Sequence, residues 1–326
     1  MAESRYSRSA SNLKAKAETK SNTTKKHRWR FPKWLLSLAA AAVLVLVCLI
    51  VTGRLPYKPD DSSVLNVEPA ALNVWFFDVG QGDAALVMGP EGETILIDAG
   101  PGLSAARLRV SLHALGISAF DCAIFTHPHE DHIGGADDLL QAFGAKTVIL
   151  SPGVFTPSAS QMRMNVEIAD CGAEVIEALP GRMLTLGSLK LILLAPCSVE
   201  YEDENDLSVV VRIEYGDISL LFTGDITEAA ERDLLALYDP VILKCDLLKV
   251  GHHGSAGSSS EDFITAVSPG YAVISAGADN EYGHPAPSVL QRLKYSRIFR
   301  TDRDGTIHAV SDGTDFIFYT ENGEKK

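Results

Sequence analysis

His127, His129, Asp131 and His132 place three imidazoles and a carboxylate within six residues, in the run Thr126-His127-Pro128-His129-Glu130-Asp131-His132. These are ligands that suit Zn²⁺ and its neighbours, and a loop leaving a strand lets such side chains converge on one point. A polar surface turn also tolerates His-Pro-His, but four ligand-type residues at this spacing, followed by Gly134-Gly135, point to metal binding. A site for two ions needs more ligands, one of them shared. Asp225 closes the apolar run Leu221-Phe222 and suits a bridge, unless it serves the helix start marked by Thr227 and Glu228. His252 and His253 stand at another strand end, where side chains of extended backbone diverge, so one of the two is expected to bind directly. His284 follows Gly283 and is either functional or an ordinary loop residue. Asp98 ends a further apolar strand; a buried carboxylate needs a partner, and a ligand histidine is a suitable one.

The elements that must position these residues interleave. Strands are predicted at Leu72–Asp78, Ala84–Met88, Thr94–Asp98, Cys122–Thr126, Thr147–Leu150, Leu189–Leu194, Ser208–Tyr215, Ile218–Thr223, Leu247–Val250 and Tyr271–Ser275, with a closing hairpin of Thr306–Ser311 and Asp315–Thr320. Helical spacing covers Leu103–Leu115, Asp137–Phe143, about Gln161–Cys171, a stretch capped by Thr227 and closed off by Pro240, the neighbourhood of Glu261–Val267, and Ser288–Leu293. This order fits an α/β fold of two mixed sheets flanked by helices. Between the first two strands, Phe77-Asp78-Val79-Gly80-Gln81-Gly82-Asp83 has glycines that would let backbone approach a site, although a tight hairpin turn is the plainer reading.

Charge divides the chain. Ten Lys and Arg against two Glu precede Leu35, so the remainder carries about −21 of the net −13. Such a body repels polyanions on average and counts against a broad nucleic-acid-binding surface, though not against a local metal-centred site. Arg292, Lys294, Arg297, Arg300 and Arg303 form a local basic cluster, or simply a solvated helix face. Residues 1–34 read as a disordered basic cytoplasmic tail. Leu35 to Thr52 is 18 residues without a charge, long enough to span a bilayer as an uncleaved single-pass signal anchor. The basic flank places the N-terminus in the cytoplasm and the body outside. Residues 53–70 read as a linker and 71–326 as the catalytic domain. Cys48, Cys122, Cys171, Cys197 and Cys245 are scattered and specify no disulfide. No Ser-His-Asp arrangement, P-loop or Rossmann glycine pattern occurs, and His27, His113 and His308 look ordinary.

The His-x-His-x-Asp-His run, with Asp98 before it and Asp225 after it, resembles the motif series of the metallo-β-lactamase superfamily. More narrowly, the 77–84 segment, Thr126 to Gly135, Leu248-Lys249-Val250-Gly251-His252-His253-Gly254-Ser255 and Gly283-His284-Pro285 resemble the soluble β-lactamase-like domain of the ComEC competence proteins, across about residues 72–310. The resemblance implies a four-layer αββα sandwich with the site along one edge of the sheets. It implies that His127 and His129 bind a first ion and Asp131 and His132 a second, with Asp225 bridging and His252 or His253, and His284, completing the set. Asp98, Asp78, Asp83 and Asn205 are then expected behind the ligands. One departure stands out. No His occurs between His132 and Asp225, where the superfamily has a third ligand; Glu204-Asn205-Asp206 occupies that region, as in ComEC-like domains. A weaker first site, Asp206 as an oxygen ligand, and a tilt from Zn²⁺ toward Mn²⁺ follow.

The expected function is metal-dependent hydrolysis of a phosphoester, foremost a phosphodiester such as DNA, by one or two Zn²⁺ or Mn²⁺ ions with Asp131, His253 and His284 as catalytic residues. Alternatives are a choline-phosphate, lactone or thioester substrate, or a non-catalytic binding subunit keeping the fold. Full ComEC proteins carry many membrane helices that form a DNA channel. With one candidate segment this chain is not expected to be the channel, and a partner channel or competence protein is left open.

Overall fold

The computed structural model describes residues 63–323, and the basic tail, the expected anchor Leu35–Thr52 and most of the linker lie outside them. No described helix is long and apolar enough to cross a membrane. The first sheet begins with β1 (Leu72–Phe76), β2 (Ala84–Met88) and β3 (Thr94–Ala99), which run antiparallel. It continues with β4 (Phe120–Phe125), β5 (Ala145–Leu150) and β6 (Glu174–Glu177), each parallel to its predecessor. Parallel neighbours need crossovers. These are α1 (Ala105–Ala114), the pair α2 (Glu130–Ile133) and α3 (Ala136–Phe143), and α4 (Ala159–Cys171).

The second sheet repeats the scheme. β7 (Met183–Leu186), β8 (Leu189–Ala195), β9 (Val210–Tyr215) and β10 (Ile218–Phe222) are antiparallel, then β11 (Leu247–Lys249), β12 (Tyr271–Ile274) and β13 (Arg297–Arg300) are parallel. Its crossovers are α5 (Glu228–Leu237) with α6 (Pro240–Leu243), then α7 (Glu261–Val267) and α8 (Pro287–Arg292). After the short α9 (Thr301–Asp304) the chain returns to the first sheet as β14 (Ile307–Ser311) and β15 (Phe316–Thr320), with β14 against β1.

Three apolar layers hold this together. Phe76, Ile95, Leu191, Val211, Phe222 and Phe318 interleave between the sheets. Leu96, Leu112, Phe120, Leu139 and Ile168 pack α1, α3 and α4 on the outer face of the first sheet, and Leu221, Leu234, Leu248, Phe263 and Ile274 do the same for the second. Central strands are therefore covered on both faces, which is why β3 and β10 are buried at every position rather than at alternate ones and are mostly apolar. The result is the expected αββα order of layers.

Some local expectations change. Pro240 does not merely close a helix: with Asp239 accepting the Val241 amide it opens the one-turn α6. The helix expected from Leu103 is a 3₁₀ turn followed by α1. β6, β7 and β13 were not expected, and Asp131 and His132 sit on α2 rather than on a plain loop. Val64, inside the segment read as linker, is buried, and its carbonyl accepts the Trp75 indole N–H at 2.6 Å.

Candidate metal centre

In each sheet the parallel strands point their C-terminal ends at the same rim, where α/β sheets present their ligand crevice. β3 delivers Asp98, β4 leads into Thr126–His132, β10 into Asp225, β11 into His252 and His253, and β12 into Ser275. β2 runs antiparallel to β3, so its starting end brings Asp83 to the same rim.

There, one ligand atom each from Asp131, His132, Asp225 and His253 lies within 4.8 Å of the others. His132 is the centrepiece: its Nδ1 is 2.8 Å from Asp98 Oδ2 and its Nε2 is 3.2 Å from Asp225 Oδ2. His253 Nε2 lies 3.2 Å from Asp131 Oδ2 and 3.4 Å from Asp225 Oδ2, while its Nδ1 faces the Ser275 carbonyl at 3.1 Å. Beside them His127 Nε2 and His129 Nδ1 converge to 3.0 Å. The His127 ring stands 4.2 Å from that of His132, centroid to centroid.

Three buried carboxylates, Asp83, Asp98 and Asp225, and the partly exposed Asp131 meet here, and their charge sets the protonation of the two histidines among them. Burial works against the charged form of His132 and His253, yet the carboxylates overcome it: His132 is raised well above the usual imidazole range and His253 to about 10. In return, against the same burial, Asp225 is held well below the ordinary carboxylate range by His132 and His253, and Asp131 is lowered to about 2. His127, by contrast, is kept neutral by burial and by the neighbouring His132. The cluster demands positive charge at its centre. The buried His132 Nε2 and Asp225 Oδ1 also have no hydrogen-bond partner. Orphaned nitrogen and oxygen donors in an anionic pocket fit a divalent cation.

A family model described as the metallo-β-lactamase superfamily matches residues 77–278. The chain belongs to the metallo-β-lactamase superfamily. It is 34% identical over 249 residues to ComE operon protein 3 of Bacillus subtilis (strain 168), covering 71% of this chain and 32% of that protein. It is 31% identical over 291 residues to Competence protein ComA of Neisseria gonorrhoeae, covering 85% of this chain and 38% of that one. The chain thus spans about a third of the length of these relatives. Among solved structures, the metallo-beta-lactamase fold protein YhfI from Bacillus subtilis is 14% identical, with 70% of this chain and 95% of that one covered and a TM-score of 0.46. The resemblance to the competence proteins' domain holds.

As a metallo-β-lactamase superfamily site, the centre gives each inner histidine an outer partner, which fixes the ring and its tautomer. Asp98 backs His132, and also accepts the Thr126 amide and hydroxyl at 2.8 Å each. Thr126 Oγ1 lies 3.1 Å from His127 Nδ1. His129 turns its Nε2 toward Glu204, 3.8 Å away. The backbone bends to make this possible, for Asp98, His252 and His253 hold φ of 55°, 48° and 54°. Residues other than glycine in this left-handed region are strained and cluster at functional sites. The expectation of extended backbone at His252-His253 is therefore corrected. The left-handed pair turns one ring into the cluster and leaves His252 half-buried, 3.9 Å from Asp225 and with its ring 5.9 Å from that of His284.

The remaining expected residues divide. Asp83 joins Asp98 and His132 in a second close group, so the 77–83 segment is more than a hairpin turn. Gly82 makes that approach possible: a Cβ there would meet the Asp131 carbonyl at 2.3 Å. Asp78 does not enter the cluster, because its carboxylate accepts the Gly80 amide and closes its own turn. Asn205 has its side-chain oxygen buried and unpartnered. Asp206 is not an available oxygen ligand, since it holds Thr227 through the amide at 2.7 Å and the hydroxyl at 3.0 Å. In the basic cluster, Arg292 donates to the Ser258 and Ser259 carbonyls and Arg300 to Asp302, so these two are structural. Sequence reasoning missed Thr126, Ser275, Glu204 and Lys249. Lys249 lies buried with its Nζ 2.7 Å from Asp83 Oδ2, and only its place inside a family-like segment hinted at it.

Proposed function

We propose that this domain is a metal-dependent hydrolase of phosphodiesters, with nucleic acid as substrate class, held at the outer face of a membrane by Leu35–Thr52. The observation that carries the reading is the anionic Asp131, His132, Asp225 and His253 group with His127 and His129 beside it. One relative is named for competence, Competence protein ComA, which favours nucleic acid.

In this reading His127 and His129 would hold one ion and Asp131, His132 and His253 a second, with Asp225 available to either. Such ions, Zn²⁺ or Mn²⁺, supply Lewis acidity and a water of lowered pKa. Asp98 and Ser275 keep the two deep imidazoles oriented so that only Nε2 faces the reaction centre. His253 then has both nitrogens engaged and is unsuited to proton transfer. His284 remains for that task. It is half-buried, burial together with His253 and His252 lowers it below the usual imidazole range, and its Nδ1 has no partner. It would accept a proton from the attacking water or pass one to the leaving group.

The test is direct. Residues 60–326 would be purified, bound metal measured, and linear DNA, RNA and bis(p-nitrophenyl) phosphate offered with Mn²⁺ or Zn²⁺. Turnover that requires metal and is lost in Asp131→Ala is the expected result. Absence of metal-dependent turnover on all three substrates defeats the proposal. Protease added to intact cells should digest the domain if it lies outside, and complete protection overturns that placement.

A further inference from the structure

Lys249 is 4% exposed at the end of β11, on the floor of the centre. Its ammonium donates to Asp83 Oδ2 at 2.7 Å and to the Val250 carbonyl at 3.0 Å, so one contact ties the second sheet to the first beneath the metal cluster. Removing an ammonium from water costs several kcal/mol in general, and hydrophobic pairs of the same volume often serve stability as well. Stability alone therefore does not account for a lysine here. The other Asp83 oxygen, Oδ1, is buried without a hydrogen-bond partner and lies 3.4 Å from His253 Nδ1. Ser275 Oγ is orphaned as well. Both residues line a cavity of about 10 Å³ together with Asp98, Thr126 and Lys249, which has room for about one water.

We propose that Lys249 is a positioning residue for the metal centre: it pins the Asp83 carboxylate beneath His253, where its charge backs the Ser275 carbonyl in keeping Nδ1 the hydrogen-bearing nitrogen and Nε2 the ligand atom aimed between Asp131 and Asp225. Without Lys249, Asp83 Oδ2 is released inside a pocket already crowded with carboxylates. It is then free to turn toward the ion and displace His253 from its place. Lys249 thus acts on the metal through two intermediaries, Asp83 and His253. This inference rests on the reading of the cluster as a metal centre.

The experiment titrates Mn²⁺ into the metal-stripped full chain and follows free ion by electron paramagnetic resonance. The proteins compared are wild type, Lys249→Met, Asp83→Asn and the Lys249→Met/Asp83→Asn double variant. Each single variant is expected to weaken Mn²⁺ binding about 10- to 100-fold, as outer partners of ligand histidines do. The double variant is expected to lose no more than the worse single one, because both substitutions act through one contact. The Nδ1–H proton resonance of His253, present in wild type, should shift in both singles. Where Lys249→Met fails to fold, Asp83→Asn carries the test, since its amide still accepts from Lys249 while the charge facing His253 is gone. Equal Mn²⁺ affinity in wild type and the folded variants overturns this proposal alone, and so do losses that add in the double variant. A wild-type chain that binds no Mn²⁺ overturns the metal reading and this inference with it.

Discussion

His132 touches Asp98 with one nitrogen and Asp225 with the other, so its ring cannot turn without breaking a contact on either side. Asp98→Asn should accordingly lower metal affinity about 10- to 100-fold while the fold persists, measured by metal content after dialysis and by circular dichroism. A second histidine reports on stability instead. His308 is buried, stacked on Trp75 at 4.3 Å, with Nε2 3.0 Å from Asn73 Oδ1, and burial lowers its pKa from 6.5 to about 3. The folded chain keeps it neutral, whereas the unfolded chain takes up a proton below 6.5, so stability is lost as pH falls from there toward about 3. Between pH 7 and pH 5 the loss should be about 2 kcal/mol. Urea unfolding of His308→Gln should show a flatter acid limb, and equal slopes for both proteins would refute the assignment. At this scale the sequence was partly legible. His127 to His132 declared themselves because their spacing is local. Lys249 did not, because its meaning depends on Asp83, 166 residues away.

Among the elements, the loop that brings Asp83 to the rim is the most constrained. Gly82 holds φ of 145°, and a Cβ there would meet the Asp131 carbonyl at 2.3 Å and Pro101 Cδ at 2.9 Å. Gly82→Ala must therefore push β2 away from α2 and is expected to abolish metal binding, whereas Gly92→Ala, with φ of 90° but nothing within 4 Å, should cost stability and leave the site intact. Parallel Mn²⁺ titrations of the two variants check this. The central strands were legible as apolar runs with glycine breaks. β6 and β7 were not, since they are short and largely exposed, and their place in the sheets comes from pairing with β5 and β8 rather than from their own pattern. The left-handed turn at His252-His253 was equally hidden, because nothing local in two adjacent histidines calls for positive φ.

For the molecule as a whole, charge opposes the proposed substrate. With about −21 beyond Trp34, the domain repels a polyanion at long range, and on the proposed function would admit it only at the His and Asp cluster. Raising salt from about 10 to 150 mM shortens the screening distance from roughly 30 to 8 Å. For DNA, kcat/KM should rise over that range, the reverse of the usual loss through counterion release. The small ester bis(p-nitrophenyl) phosphate should respond little; a falling DNA rate would reveal a cationic track on the surface. What the sequence could not convey at this scale is the return of the chain to its first sheet, because the β14–β1 pairing leaves no mark in either strand.

That return governs when the domain can close. β1 lies between β14 and β2 and is buried throughout its length, yet its partner β14 begins only at Ile307. On a ribosome, at about 5–20 residues per second, the first sheet waits on the order of tens of seconds with an unpaired apolar edge beside the loop that carries Asp83. An open edge is a template for other chains. Nascent molecules are thus most vulnerable to cross-pairing just before the last hairpin emerges and seals the sheet.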